Sequence, residues 1–364
     1  MAALLTVSRC CRRSQIRRFS TALRGLERAG PGGRSSVSGL TVTIFGATGF
    51  VGRYVVNRMG RMGSQIVLPF RCDEHDTRHL RVMGDLGQIY FRPYHLLDID
   101  RIRDLVKYSN VVVNLVGRDY ETSNFSYYDL HVLGAARIAQ ACKDMEVERL
   151  VHFSAYNASY SSPSPFMVSK KQGEDTVREI FPDVTILKPS DIYGLEDRFL
   201  MYYAGISKYI KIVPLIKMGK HVHKIPIFVS DVASAVEKCV VDRDTMGRTY
   251  YLCGPEKYLY YDLVDYIFRC VNRPFRPFSI PQSIFNIFGL MNELWPFYRY
   301  VTRDKITRMT LSEDFHTDKL GIKDLGVEAT KFSDVAVRFL RHYRKFEGSV
   351  DPIDEIGPLH KAKA

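Results

Sequence analysis

The stretch TVTIFGATGFVG, Thr41 to Gly52, decides the fold. Its first five residues are apolar or β-branched, the composition of a short buried strand, and they run directly into Gly46, Gly49 and Gly52. Behind the glycines, RYVVNRMGRMG (53–63) spaces its apolar residues for a helix. A strand, a tight turn and a helix in that order suit a dinucleotide. The glycines allow a sharp turn, a close approach to a pyrophosphate and tight helix packing, while the helix N-terminus offers unpaired N–H groups and its positive dipole end. A tight turn that binds nothing is the plainer alternative.

The same alternation continues outward. Strands are expected at QIVLPFR (65–71), IYFRPYHL (89–96), NVVVNLVG (110–117), RLVHFSA (149–155) and VTILKPS (184–190), with helices over 130–145 and 168–180 between them. Strands apolar on both faces, separated by helices, predict an α/β fold with a doubly wound parallel sheet. Residues 40–194 and 226–255 are assigned to that domain, 195–225 and 256–345 to a smaller mixed C-terminal lobe, and 346–364 to a tail.

Residues 1–35 differ in kind. Within 1–30, seven Arg stand against the single acid Glu27, so this segment carries +6 of the chain's net +12. An Arg-, Ser- and Thr-rich, acid-poor start is composed like a mitochondrial presequence, with Arg17–Ser20 as a processing step and GPGGRSSVSG as a linker. Half the excess charge then belongs to an address, which argues against nucleic acid as a partner and against an RNA-binding role. No run of 18 uncharged apolar residues suggests a membrane span. The seven Cys show no CxxC spacing and are expected as reduced core thiols, with no metal site.

At the end of the second strand, a carboxylate would accept from the ribose 2′-OH of NAD, whereas a guanidinium would pair with the 2′-phosphate of NADP. Arg71 holds that place and points to NADP(H); Asp73, two residues on, is the alternative.

Several motifs in register resemble the extended, atypical short-chain dehydrogenase/reductases. They are GATGFVG (46–52), Asp98 in LLDID, NLVG (114–117), Ser154 at the catalytic Ser position, KPSDIYG (188–194) and PIFVSDVASAV (226–236). The resemblance implies a Rossmann fold and a cofactor site formed by Gly46, Thr48, Gly49, Phe50, Val51, Arg71, Leu97, Asp98, Val116, Gly117, Ser154, Lys170, Pro189 and Ile192. Further stretches, among them HLRVMGDLGQ (79–88), KPSDIYGLEDRFL (188–200) and YVTRDKITRM (300–309), resemble the branch whose members are accessory subunits of mitochondrial respiratory complex I. That likeness implies NADPH held without electron-transfer duty, on the matrix side of the inner membrane near the junction of the peripheral and membrane arms. The implied partners are other complex I subunits, with phospholipid headgroups touching the C-terminal lobe.

SPFMVSKKQGED (164–175) is where this chain departs from an active reductase. Such an enzyme sets a Tyr four residues before a Lys on one helical face, so that the Lys lowers the phenol's pKa and grips the nicotinamide ribose. Here the pair is Phe166 and Lys170. Without the hydroxyl, a general acid worth about 10² to 10⁴ in rate is missing. Tyr156 or Tyr160 could swing in as a substitute, which would leave an NADPH-dependent reductase or isomerase acting on a small hydrophobic carbonyl compound; Phe166 and Lys170 as two edges of a ligand-free helix is a further reading. His221 and His223 are spaced like ligands but lack a third. Ile284, Phe288, Met291 and Trp295 form one apolar helical face, expected to pack on its own domain, with docking on another subunit or lipid headgroups as the alternative.

Overall fold

The computed structural model describes residues 33–209, 212–294, 301–344 and 356–361. Most of the expected presequence, Cys10, Cys11, Trp295 and much of the tail lie outside them.

All five residues of β1 (Thr41–Phe45) are buried, which is why the run is continuously apolar or β-branched. Gly46 turns the chain with φ +80, and a Cβ there would sit 2.9 Å from the Leu115 carbonyl carbon. The chain then enters α1 (Phe50–Arg61), where a Cβ on Gly52 would lie 2.6 Å from Ala47 Cα, so helix and turn are in contact. The alternation continues through β2 (Gln65–Phe70), α2 (Glu74–Arg81), β3 (Ile89–Pro93), α3 (Ile99–Val106), β4 (Val111–Asn114), α4 (Gly134–Asp144), β5 (Arg149–Phe153), α5 (Pro165–Ile180) and β6 (Thr185–Pro189). After α6 (Leu200–Tyr209) and α7 (Val229–Val241), β7 (Thr249–Leu252) completes a seven-stranded sheet of order β7-β6-β5-β4-β1-β2-β3. Every pairing in it is parallel. The chain winds one way from β1 to β3 and the other way from β4 onward, so the crevice between the carboxyl ends of β1 and β4 is the switch point where ligands bind in such sheets.

One face of the sheet packs on α1 and α7 through Val55, Val56, Met59, Val232 and Val236, and the other on α3, α4 and α5 through Ile102, Ile138, Ala139 and Val177. Two features depart from what the sequence pattern predicts. The returning segment Ile227–Phe228 pairs with Ile192–Tyr193 as a separate short ribbon, and the seventh sheet place goes to β7, whose short TYYL run was not among the expected strands.

α6, α8 (Tyr260–Cys270) and, after α9 (Gln282–Leu294) and α10 (Arg303–Met309), α11 (Phe332–Leu340) form the lobe around Tyr193, Tyr203, Phe268 and Phe332. Residues 320–327 return to the sheet: Tyr251 N donates to Leu320 O at 2.8 Å, and Ile322, Leu325 and Val327 join the sheet's core. Among the described residues the apolar face of α9 is left exposed rather than packed on its own domain. Ile284, Phe288 and Met291 are 57, 61 and 64% exposed, while the buried face is built around Gly289, whose Cβ would meet Ile306 at 2.8 Å. Of the described Cys, all free, Cys142, Cys239 and Cys270 are buried, whereas Cys72 and Cys253 are half-buried. Among the described residues no helix is long and apolar enough to cross a membrane.

Candidate nucleotide cleft and adjoining cavity

The carboxyl ends of β1, β2 and β4 open onto a cleft of about 420 Å³ that brings together Gly46, Thr48, Gly49, Arg71, Val116 and Gly117. Gly49 is the extended N-cap of α1, with no side chain capping the helix. The first N–H groups of a twelve-residue helix therefore face the cleft, available to an anion. The absence of a Cβ at Gly46 keeps the backbone of the turn against Leu115, and Asn114 holds the opposite wall by accepting from Val116 N at 3.0 Å. These residues fit a dinucleotide.

Arg71 follows β2 directly, is exposed, lines the cleft and lies with its Cζ 5.5 Å over the Phe125 ring. Asp73 stands at the N-cap position of α2, without a side-chain capping bond, and is not part of the cleft wall. Leu97 and Asp98 also stay outside. The Asp98 carboxylate is used as the N-cap of α3, accepting from Arg101 N at 3.0 Å, and the buried neighbour Leu96 lines the cleft in place of Leu97. Phe50 and Val51 turn away from the opening: Phe50 packs edge-on to Tyr54 at 5.9 Å and Val51 against the sheet's core. Cleft residues that sequence reasoning passes over are Tyr94, Leu96, Cys72 and Arg118. Only Arg118, next to Gly117, carried a usable signal, a cation directly after the β4 turn.

Pro165 opens α5 at its first turn, where its missing N–H costs nothing, and this sets Phe166 and Lys170 one turn apart on the same face. Lys170 is buried, donates to Phe153 O at 3.1 Å, and its Nζ lies 3.1 Å from where a Gly117 Cβ would be, so it reaches the wall of the cleft. Burial pushes its ammonium down to about 8, against the opposing pull of Glu174. Glu174 is itself buried, pairs with Lys188 at 2.9 Å, and accepts the Ser154 hydroxyl. Ser154 is thus drawn back into an ion pair behind the site. Phe166 meets His131 edge-on at 5.1 Å and Tyr127 at 5.8 Å. His131 and His152 are both buried, and burial, with the nearby Lys170 charge, pushes them down to about 2 and about 3, so both rings are neutral near pH 7.

Ser154, Phe166, Pro189 and Ile192 line a second cavity of about 360 Å³ between this end of the sheet and the lobe. Tyr156 lines it too, but its hydroxyl donates to Asp314 O at 2.7 Å; Tyr260 pairs with the Tyr203 hydroxyl at 2.6 Å. Tyr160 is exposed and donates to Asp175 at 2.8 Å. On the lobe side, buried Lys224 reaches Glu313 at 3.2 Å and Asp191 at 3.0 Å, and Glu313 also accepts from Ile225 N at 3.1 Å. These charged residues are scattered from position 191 to 313, and no local motif marks them. His221 and His223 lie by the Ser312 turn; among the described residues, no three His, Cys, Asp or Glu side chains gather as a metal site.

The sequence model of the NAD dependent epimerase/dehydratase family matches residues 42–240. A Rattus norvegicus protein named NADH dehydrogenase (ubiquinone) 1 alpha subcomplex subunit 9, mitochondrial, is 44% identical over 90% of this chain and 87% of its own. An Arabidopsis thaliana protein of the same name is 36% identical over 88% and 82%, and the Neurospora crassa NADH-ubiquinone oxidoreductase 40 kDa subunit is 38% identical over 86% and 82%. Among solved structures, the Escherichia coli NADPH-dependent quinone oxidoreductase complexed with NADPH superposes with a TM-score of 0.63 at 15% identity, over 83% of this chain and 99% of that one. At that identity the likeness is one of fold.

Proposed function

Because the chain belongs to the NAD dependent epimerase/dehydratase family, and within it to the family of the mitochondrial NADH dehydrogenase alpha subcomplex subunit 9 proteins, we propose that it is a catalytically silent accessory subunit of respiratory complex I that holds NADPH as a structural ligand. The observation that carries this reading is a glycine-walled cleft at the switch point of the sheet beside an aromatic ring that has no hydroxyl, Phe166. The relatives are named as mitochondrial complex I subunits, which supports mitochondrial residence and partners from that assembly. A matrix-side position at the junction of the two arms is the finer part of the proposal. Arg71 in the cleft wall, with Asp73 outside it, supports NADP(H) over NAD(H).

When bound, NADPH supplies a hydride; the chain's own groups are poorly set to use it. Phe166 has no proton to give, and the Ser154 hydroxyl is committed to Glu174. What the residues do well is bind: glycine backbone and the α1 N-terminus at the phosphates, Arg71 at the 2′-phosphate, Lys170 at the nicotinamide ribose. A ligand held only by the folded state at a hundredfold above its Kd stabilises that state by about 2.7 kcal/mol. The exposed face of α9 is assigned to a neighbouring subunit, with phospholipid headgroups as the second occupant.

Native gels of mitochondria carrying Gly49→Val or Ser154→Ala test the role. A Gly49 Cβ meets only Gly46 O, at 3.3 Å, so the valine blocks the phosphates more than it disturbs the fold. Gly49→Val should lower this subunit and assembled complex I, and Ser154→Ala should leave both near normal; normal complex I around an apo Gly49→Val subunit would remove the supporting role. The cavity beside Phe166 favours one second reading, a reductase or isomerase of small hydrophobic carbonyl compounds. NADPH-dependent turnover of an aldehyde or ketone, lost in Lys170→Ala, would establish it.

A further inference from the structure

The cavity between the sheet and the lobe has a charge pattern that neither nucleotide binding nor assembly uses. Four cations and three carboxylates line it. Three of the cations have partners: Arg198 pairs with Asp119, Lys224 with Asp191 and Glu313, and Arg308 with Asp304 at 2.9 Å and with Asp119 O at 2.8 Å. Lys305, on α10, is the exception. Among the described residues its ammonium makes no ion pair or hydrogen bond, and its contact is the face of Tyr202 at 5.6 Å. Burial, with Arg308 and Arg198 close by, holds that ammonium below its ordinary range, although Asp119 works the other way. Lys305 is half-buried, and a partly desolvated cation without a counter-ion is costly; an incoming anion relieves the cost.

The rest of the wall says what the anion carries. Phe166, Met167, Phe199, Met309 and Leu311 make the remaining surface largely apolar. Since the other three cations already have carboxylate partners, a single negative charge beside Lys305 suffices. About 360 Å³ lies within the range of small-molecule pockets.

We propose that this cavity binds a small organic monoanion with an apolar body, a carboxylate in head-group chemistry, whose charged end pairs with Lys305 while its body lies along Phe166, Met167 and Met309. No residue lining this cavity lines the dinucleotide cleft, although Ser154, Pro189 and Ile192, expected at the cofactor, line the cavity, so titration with and without NADPH tells the two occupants apart.

Isothermal titration of the full chain with octanoate, octan-1-ol and inorganic phosphate, with and without NADPH, tests it. One equivalent of octanoate is expected to bind, at least about tenfold more tightly than the alcohol or phosphate, since a hydrogen bond to a charged group is worth about 1.5–3 kcal/mol. Lys305→Met should weaken octanoate by about ten- to a hundredfold to the level of the alcohol, and Lys305→Arg should retain it. Met167→Trp, which fills the apolar end, should abolish binding with Lys305 intact. That variant decides between the outcomes should Lys305→Met fail to fold. No octanoate binding to the native chain, equal binding of octanol or of phosphate, or undiminished binding to Lys305→Met or Met167→Trp would overturn the proposal. Nucleotide content, measured separately on the same preparation, reports on the cleft, so failure of the nucleotide assignment and failure of octanoate binding are read independently.

Discussion

The guanidinium of Arg308 lies 4.3 Å over the ring of Phe166. Arg308 is fixed there by Asp304 at 2.9 Å and the Asp119 carbonyl at 2.8 Å, so the aromatic position of α5 carries a cation from the C-terminal lobe. Where a reductase needs a phenol, this chain uses a ring face to join its two parts.

Phe166→Leu keeps an apolar side chain but removes the π face, and a partly desolvated cation–π contact is worth about 0.5–2 kcal/mol. The expected loss of stability is about 1–2 kcal/mol, read by urea denaturation, and the double variant with Arg308→Met should lose less than the sum of the two single losses, because both remove that interaction. Additive losses would show that the pair is not coupled. Phe166→Tyr alone should remain inactive with NADPH and carbonyl compounds, since the Lys170 Nζ is 6.0 Å from the ring centroid and donates to Phe153 O.

Lys170 gives a pH signature. Its ammonium titrates near 10.5 in the unfolded chain and is pushed down to about 8 by burial in the folded one. Between those values the unfolded state holds the extra proton, so stability rises with pH there, and below about 8 the full cost of the buried charge is present. Lys170→Met should therefore stabilise the nucleotide-free protein at pH 7 by roughly 1–3 kcal/mol and remove the rise between pH 8 and 10. Denaturation of both forms at several pH values checks it; parallel curves would refute the assignment.

Arg71→Asp should weaken NADPH by about ten- to a hundredfold, the worth of a charge-assisted pair, while leaving NADH as tight or tighter. Titration calorimetry with both nucleotides decides. Equal losses would place Arg71 away from the 2′-phosphate, and stoichiometric NAD(H) released from the denatured native protein would reverse the cofactor preference.

Lys224 holds Glu313 and Asp191 together beneath the second cavity. Lys224→Met leaves the Glu313 carboxylate buried without its cation and should cost about 3–5 kcal/mol. Lys224→Met with Glu313→Leu, which removes both charges, should recover a large part of that in thermal melts, and a double variant no better than the single one would show that packing dominates.

On α9, Phe288→Ser and Met291→Ser should leave the isolated chain within about 0.5 kcal/mol of the native stability, because both side chains are exposed. The same changes should reduce incorporation into complex I on native gels. Full incorporation would mean that this face is not covered in the assembly.

The sheet was legible because its cause is local. Each of the first six strands is an apolar run next to a turn, and TVTIFGATGFVG holds a strand, a left-handed glycine turn and an open helix N-terminus within twelve residues. Period and turn chemistry follow from neighbours along the chain. The α5 pair, Phe166 and Lys170, was legible for the same reason, since helical spacing alone puts them on one face. The use of side chains beyond those turns was not: the Asp98 carboxylate caps α3, and Leu96 rather than Leu97 lines the cleft, which the spacing of LLDID does not reveal. Nor did the period of α9 say which side meets the protein; Gly289 against Ile306 turned the apolar stripe outward. The second cavity was wholly a matter of tertiary structure. Asp119, Arg198, Lys224, Lys305, Arg308 and Glu313 come from distant segments, and the arrangement that leaves Lys305 without an ion pair among the described residues exists only once these segments are packed together. Residue identity and spacing determined where a dinucleotide can lie and that Phe166 brings no hydroxyl to it; packing at long range decided which charges face one another there.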